Sequence, residues 1–183
     1  LDSWSGRVSW FPGRNLVAQL SHGYLNEPPL VHPGNETRTT ASLTGVADTP
    51  AGRWSTTALW GRNVELGTLL LAPLTMQSYG LESQLDVEER LHLYGRAEFL
   101  DRSSLPPLPW GSHILQRVGA LSLGLSRDLG AIDRWALAIG GDVTLTSVEA
   151  FSKAAYGDNP TSFRLYARLR PPTMGALPGM LAH

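Results

Sequence analysis

Acidic and basic residues alternate with apolar residues between positions 81 and 99, and these charges are the first candidates for chemistry. Glu82, Asp86 and Glu98 would lie close together if the segment folds into a hairpin, and neighbouring carboxylates can provide acid–base catalysis. Arg96 would lie beside them, however, and an ion pair with Arg96 explains their presence more simply. The segment therefore predicts a charged surface and no enzymatic activity.

Histidine and serine form no further catalytic or metal-binding pattern. The five histidines lack the spacing of a metal site; they are His22, His32, His92, His113 and His183. Two of them follow a serine directly, but adjacent residues of a strand point to opposite faces, so neither pair can act as nucleophile and base. The absence of cysteine excludes thiol catalysis and disulfides. We therefore predict neither a metal nor a cofactor.

The composition narrows the class of protein. The 183 residues are enough for one domain with a sizeable core. The formal net charge of -1 gives no electrostatic reason to expect a nucleic acid as partner. No stretch reaches the roughly 18 consecutive apolar residues of a membrane-spanning helix. Abundant Gly, Thr and Ser, together with six Trp, favour β-structure.

Apolar and polar residues alternate along most of the chain, and a period of two indicates strands with one apolar and one polar face. We predict an all-β, antiparallel meander of about nine long strands. Their bounds are 4–11, 16–25, 37–47, 53–63, 79–87, 91–99, 114–128, 134–148 and 162–170. Gly140 and Gly141, inside the eighth strand, predict a bulge or bend. Residues 1–170 would form the domain, and the Pro/Gly-rich residues 171–183 a flexible tail.

The connections between these strands are alternately short and long. Transmembrane barrels have this arrangement, because their turns are short on one side of the membrane and their loops long on the other. The long loop at residues 64–76 contains Leu69, Leu70 and Leu71, which is too apolar for a freely solvated loop. We expect it to fold inward, to extend the flanking strands, or to contact a partner.

Aromatic residues mark both ends of the apolar faces. Trp10, Trp54 and Trp135 lie beside short turns, and six others lie at the long-loop ends: Trp4, Tyr24, Trp60, Tyr79, Phe99 and Phe163. Aromatic rings favour the interface between bilayer and water, so two belts are expected of a membrane barrel. The alternative is that they close a soluble core. Between the belts, we predict that Leu121, Leu123, Leu125, Leu137, Ile139 and Val143 face lipid.

The polar faces carry most of the charges that the strands contain. The candidates for pore lining are Arg7, Glu82, Asp86, Arg96, Glu98, Asp142, Arg164 and Arg168, with His92 on the same faces. In a barrel they would point into the lumen and select solutes by charge. Alternatively, they would pair with one another and fill a narrow, closed interior.

The pattern of residues 4–170 resembles the β-barrel proteins of the outer membrane of Gram-negative bacteria and, more loosely, porin-type barrels. The resemblance implies a location in the bacterial outer membrane, the lipid bilayer as partner, and passive transport of small polar solutes. Two other hypotheses remain open: a non-conducting structural or adhesion barrel, and a soluble lipocalin-like binding protein. A propeller blade would need four short strands in about forty residues, where this chain has two long ones. Many outer-membrane barrels end on a terminal aromatic residue, whereas Pro171 and Pro172 follow the last strand here.

The number of strands has a consequence for closure. Bacterial single-chain barrels have an even number of strands, with both termini on the short-turn side. The ninth strand would end on that side, but the first strand would then begin on the long-loop side. We therefore expect an odd number of upstream strands of the same chain to complete the barrel. The oligomeric state does not follow from the sequence.

Overall fold

The structure is a computed structural model that describes residues 2–26, 35–67, 73–88, 90–103, 115–132 and 135–171. In these residues nine antiparallel strands form one sheet in sequence order, which confirms the predicted all-β meander. The strands are β1 (Trp4–Gly13), β2 (Leu16–Leu25), β3 (Glu36–Thr49), β4 (Gly52–Glu65), β5 (Leu74–Val87), β6 (Leu91–Ser103), β7 (Leu115–Ile132), β8 (Trp135–Val148) and β9 (Thr161–Arg170).

Most strands are longer than the alternation of residue types predicts. β2 has the predicted bounds, whereas β5 begins earlier, at Leu74, and β6 continues to Ser103. The reason is that the ladder is built from backbone hydrogen bonds, which do not require apolar side chains. Extension of β4 and β5 shortens the loop between them, in line with one of the three expectations for it. Its three leucines, 69–71, lie outside the described residues.

Of the two alternatives predicted for Gly140 and Gly141, the bulge is wrong, because both residues pair in regular register with β7 and β9; the bend stays a prediction. The irregularity of this hairpin lies in β7 instead, between Asp128 and Gly130. Gly130 has a φ of 123°, a backbone conformation that side chains rarely adopt, so glycine relieves the strain there.

A short helix, α1 (Ala150–Tyr156), occupies the connection between β8 and β9, where the sequence analysis expects an irregular loop. Its alanines and lysine are good helix formers, a signal that is independent of the period-two alternation of the strands. Ser152 of α1 donates a hydrogen bond from Oγ to Oε1 of Gln116 in β7, and both side chains are buried. The helix is therefore anchored on the polar side of β7, at the long-loop end.

The described helix is too short to cross a membrane.

The described residues contain almost no apolar core. Ala138 is the one buried hydrophobic residue among them, while Leu123, Phe163 and Leu165 are 61%, 81% and 82% exposed. Soluble sheets normally cover their apolar face with a second layer. Here the apolar face is uncovered from β1 to β9.

The polar face is the more crowded of the two. The described strand residues that are buried all project on this side: Gly23, Glu36, Gln116, Ser126 and Ala138. Side chains crowd together on the inner face of a curved sheet and spread apart on the outer face. The distribution of burial therefore makes the polar face the inner one.

Candidate functional site: the polar face

The cross-strand register places the predicted charges of the central hairpin side by side. Glu82 of β5 lies directly opposite Arg96 of β6. Nη1 of Arg96 is 3.2 Å from Oε1 of Glu82, and Nε of Arg96 is 2.7 Å from Oε1 of Glu98. Arg96 thus forms an ion pair with each carboxylate, and this arrangement does not provide an acid–base pair. Asp86, by contrast, lies with a different partner.

Asp86 belongs to a second cluster at the short-turn end, centred on His92. The ring Nδ1 of His92 is 2.7 Å from Oδ1 of Asp86, and Nε2 is 3.4 Å from Oδ2 of Asp128. Asp128 also contacts Arg168 at 3.6 Å and Arg170 at 3.4 Å. The cluster connects β5, β6, β7 and β9. Two of the predicted pore-lining residues, Asp86 and Arg168, are therefore paired with other charged groups of the same face.

Asp142 of β8 is the centre of a third cluster. Arg164 of β9, directly opposite, donates from Nε and Nη2 to Oδ2 of Asp142 at 3.0 and 2.6 Å. Tyr94 of β6 reaches across β7 and donates from its hydroxyl to the same oxygen at 3.0 Å. The Tyr94 hydroxyl is also 3.2 Å from that of Tyr166. Three strands are therefore linked through one carboxylate.

Glycines on the polar face make room for the two tyrosine rings. A Cβ on Gly124 would collide with the ring of Tyr94, and a Cβ on Gly140 would collide with the ring of Tyr166. The rings therefore lie over the backbone of the neighbouring strands. Gly140 has no side chain and so makes room for a ring, but it does not form the predicted bulge.

The polar face of β1–β4 differs in character, because small hydroxyl side chains predominate there. The hydroxyls of Ser21 and Thr40 are 2.6 Å apart, and those of Thr44 and Thr57 are 2.9 Å apart. Arg7 lies in the same row as Ser21 and Thr40. Within the described part of the chain Arg7 has no acidic partner. This half of the face is more open, and Arg7 is its unpaired positive charge.

The predicted aromatic residues all project from the apolar face, as the alternation requires. Trp60, Tyr79 and Phe99 are directly opposite one another on β4, β5 and β6. Trp4 and Tyr24 form another such pair on β1 and β2.

The three short-turn tryptophans occupy staggered rows. Trp10 shares a row with Ala58 of β4, whereas Trp54 lies closer to the turn end of that strand. Trp135 lies further still, beyond the row of Trp54, which ends at Gly141 in β8. A stagger in one direction is what the tilted strands of a barrel produce.

Polar residues border the apolar face at the long-loop end. The row next to Trp60, Tyr79 and Phe99 contains His22, Thr39, Arg62, Gln77, Asp101 and Arg117. Its members bond to one another and to the aromatic row: Nδ1 of His22 is 2.8 Å from the Thr39 hydroxyl, and Tyr79 donates to Gln77 at 2.7 Å. The apolar surface therefore has a defined edge.

The sequence places the candidate lining residues on one face but does not identify their partners. All but Arg7 are paired. The sequence does not single out three residues that pack or pair with them, namely Asp128, Tyr94 and Tyr166. Their period-two positions on the polar face were the available signal. Among the described residues, no group of three or more histidines and carboxylates could hold a metal ion. His32, His113 and His183 lie outside those residues.

Comparisons with protein-family models, with curated proteins and with solved structures found no match.

Proposed function

We propose that the sheet is part of a porin-like β-barrel in the outer membrane of a Gram-negative bacterium, through which small polar solutes diffuse passively. One observation carries the proposal: an uncovered apolar face runs across nine strands, while the polar face carries the buried residues. A lipid bilayer satisfies both faces, because it covers the apolar side and leaves the polar side to a water-filled interior. A soluble lipocalin-like barrel would need the opposite arrangement.

The dimensions of the apolar face fit a bilayer. On β7 this face is bounded by Arg117 and Arg127, with Gly119 and three leucines between them. The two arginines are about 33 Å apart along the strand, at 3.3 Å per residue. A strand tilt of roughly 40° reduces this to about 25 Å across the membrane, the height of the apolar band of such barrels.

Polar groups within the apolar face have internal partners, as lipid requires. Thr56 and Ser83 lie opposite each other on β4 and β5, and their hydroxyls are 3.0 Å apart. Trp54 donates from Nε1 to the Ser83 hydroxyl at 2.6 Å. These bonds offset the cost of placing hydroxyl groups beside hydrocarbon.

Closure of the barrel by antiparallel pairing alone requires strands beyond the nine. The strands alternate in direction, so β1 and β9 run the same way and cannot form an antiparallel pair. If a second copy had the same orientation in the membrane, its β1 would also run parallel to β9 of the first copy, so the two copies could not form an antiparallel pair either. We expect an odd number of further strands from the same polypeptide to pair with both edges, because lipid cannot satisfy exposed backbone groups.

A non-conducting structural or adhesion barrel is the second candidate, and the ion pairs favour it. Arg96, Asp142 and Asp128 each hold at least one opposite charge, so the β5–β9 half of the face is largely neutralised. In this case the side chains would fill the interior. The open, hydroxyl-rich half formed by β1–β4 favours the channel.

Planar-bilayer recordings of the full-length protein distinguish the candidates. The channel predicts discrete conductance steps that a heat-denatured sample does not produce. Protease-protected insertion into vesicles without conductance would instead identify the structural barrel. A protein that stays soluble without detergent and does not insert would contradict both.

A further inference from the structure

A cleft at the long-loop end of β1–β3 contains two arginines and no carboxylate. Its volume is about 780 Å³, and the polar side chains around it include Arg7, Arg38, Ser5, Ser21 and Thr40. We propose that this cleft binds a small oxyanion, such as a phosphate group. The site goes beyond the channel hypothesis, because it requires only the sheet.

Arg7 supplies unneutralised charge to the cleft. It projects from the polar face of β1, and within the described part of the chain no carboxylate lies within ion-pairing distance of it. A guanidinium presents N–H donors in a planar fork that matches two oxygens of an oxyanion. The other three predicted lining arginines, Arg96, Arg164 and Arg168, each lie within ion-pairing distance of a carboxylate. Arg7 is therefore the lining arginine that remains available to a ligand.

Arg38 is fixed in place by Glu36. Its Nε and Nη2 donate to the two carboxylate oxygens at 2.9 and 3.0 Å, and Glu36 is only 9% exposed. A guanidinium has five N–H donors, and this pair uses two of them. The side chain of Arg38 is half exposed and borders the cleft. Glu36 thus orients a second fork whose remaining donors are free for a ligand.

Gly23 keeps the floor of the cleft low. It lies directly between Ser5 of β1 and Arg38 of β3. A Cβ on Gly23 would come within 3.1 Å of the Ser5 Cβ, so a larger residue would crowd the space between the two arginines. Hydroxyl groups of Ser21 and Thr40 lie beside it and can donate or accept hydrogen bonds.

Charge favours an anion at this position. Two arginines line the cleft, whereas the nearby carboxylates of Glu36 and Glu65, which lie opposite each other on β3 and β4, do not line it. Two guanidinium forks and several hydroxyls fit an oxyanion with three or more acceptor oxygens better than a halide. The shared chemistry includes free phosphate and the phosphate groups of lipids or sugars.

Equilibrium dialysis of radiolabelled inorganic phosphate against the full-length protein in detergent micelles tests the site. We expect saturable binding that weakens as salt is added, because screening shortens the range of the two charges. Arg7→Gln should weaken binding about tenfold, which corresponds to about 1.4 kcal/mol. Arg7→Lys keeps the charge and should bind more tightly than Arg7→Gln. Competition by glucose 6-phosphate or by phosphatidylglycerol micelles distinguishes sugar and lipid sources of the phosphate.

Arg117→Gln is the matched control, because it removes one positive charge from the opposite face at the same end of the sheet. Its affinity for phosphate should equal that of the wild type. If Arg7→Gln does not fold, Arg38→Gln provides the same test and should also weaken binding. Absence of saturable binding by the wild type, or an equal loss in the Arg117 control, would overturn the site. Absence of conductance would not.

Discussion

Leu123→Arg tests whether the apolar face meets lipid. Leu123 lies close to the midpoint between Arg117 and Arg127, so the bilayer model places it near the membrane centre. Its side chain is 61% exposed, and lipid covering that fraction contributes about 1–2 kcal/mol. Losing this contribution and burying a charge in hydrocarbon should together lower the free energy of unfolding by about 2–4 kcal/mol. Reversible urea unfolding in phospholipid vesicles, followed by tryptophan fluorescence, measures this loss in the free energy of unfolding.

Leu115→Arg is the matched control for this experiment. Leu115 lies on the same strand and face, but beyond Arg117 and therefore outside the apolar band. There the same substitution should cost at most about 1 kcal/mol. If the two variants lose equal stability to within about 0.5 kcal/mol, the apolar face does not face lipid at Leu123.

Two glycines provide tests of the packing on either side of the sheet. Gly124→Ala should displace the ring of Tyr94 and lower the free energy of unfolding by about 1–3 kcal/mol, whereas Gly6→Ala, with open space around it, should be nearly neutral in the same urea titration. Gly52→Ala should lower the free energy of unfolding by about 1–3 kcal/mol, since the φ of Gly52 is 134° and a Cβ there would collide with the backbone of β5. Gly13→Ala, at the end of β1 beside another short turn and with open space around it, is the thermal-unfolding control; equal melting temperatures of the two variants would refute the strain.

The strands could be predicted because their signal is local. On β7, for example, polar or small residues alternate with Leu121, Leu123 and Leu125. This alternation is visible without any knowledge of the neighbouring strands. Strand ends are less predictable, since β7 continues through Leu129 to Ile132, where the alternation has already ceased. The helix at Ala150 was missed because a seven-residue segment carries little periodic information.

The candidate site was predictable as a face but not as a set of contacts. The alternation of polar and apolar residues along each strand is enough to place Arg96 and Asp142 on the same side of the sheet. The partner of Asp142 depends on the register across β8 and β9, which the sequence does not specify because the connection between them is long. The contact from Tyr94 across β7 depends in addition on Gly124, whose importance appears only when three strands are in place.

The environment of alternate residues on β7 shows whether the apolar face lies in a bilayer and the polar face in water. The chain has no native cysteine, so single cysteines at positions 120, 121, 122 and 123 can each carry a nitroxide label without background. In phospholipid bilayers, labels at Leu121 and Leu123 should collide mainly with oxygen, which is enriched in lipid. Labels at Ala120 and Ser122 should collide mainly with a water-soluble nickel complex. Accessibility to the nickel complex at all four positions, in folded protein, would contradict the account.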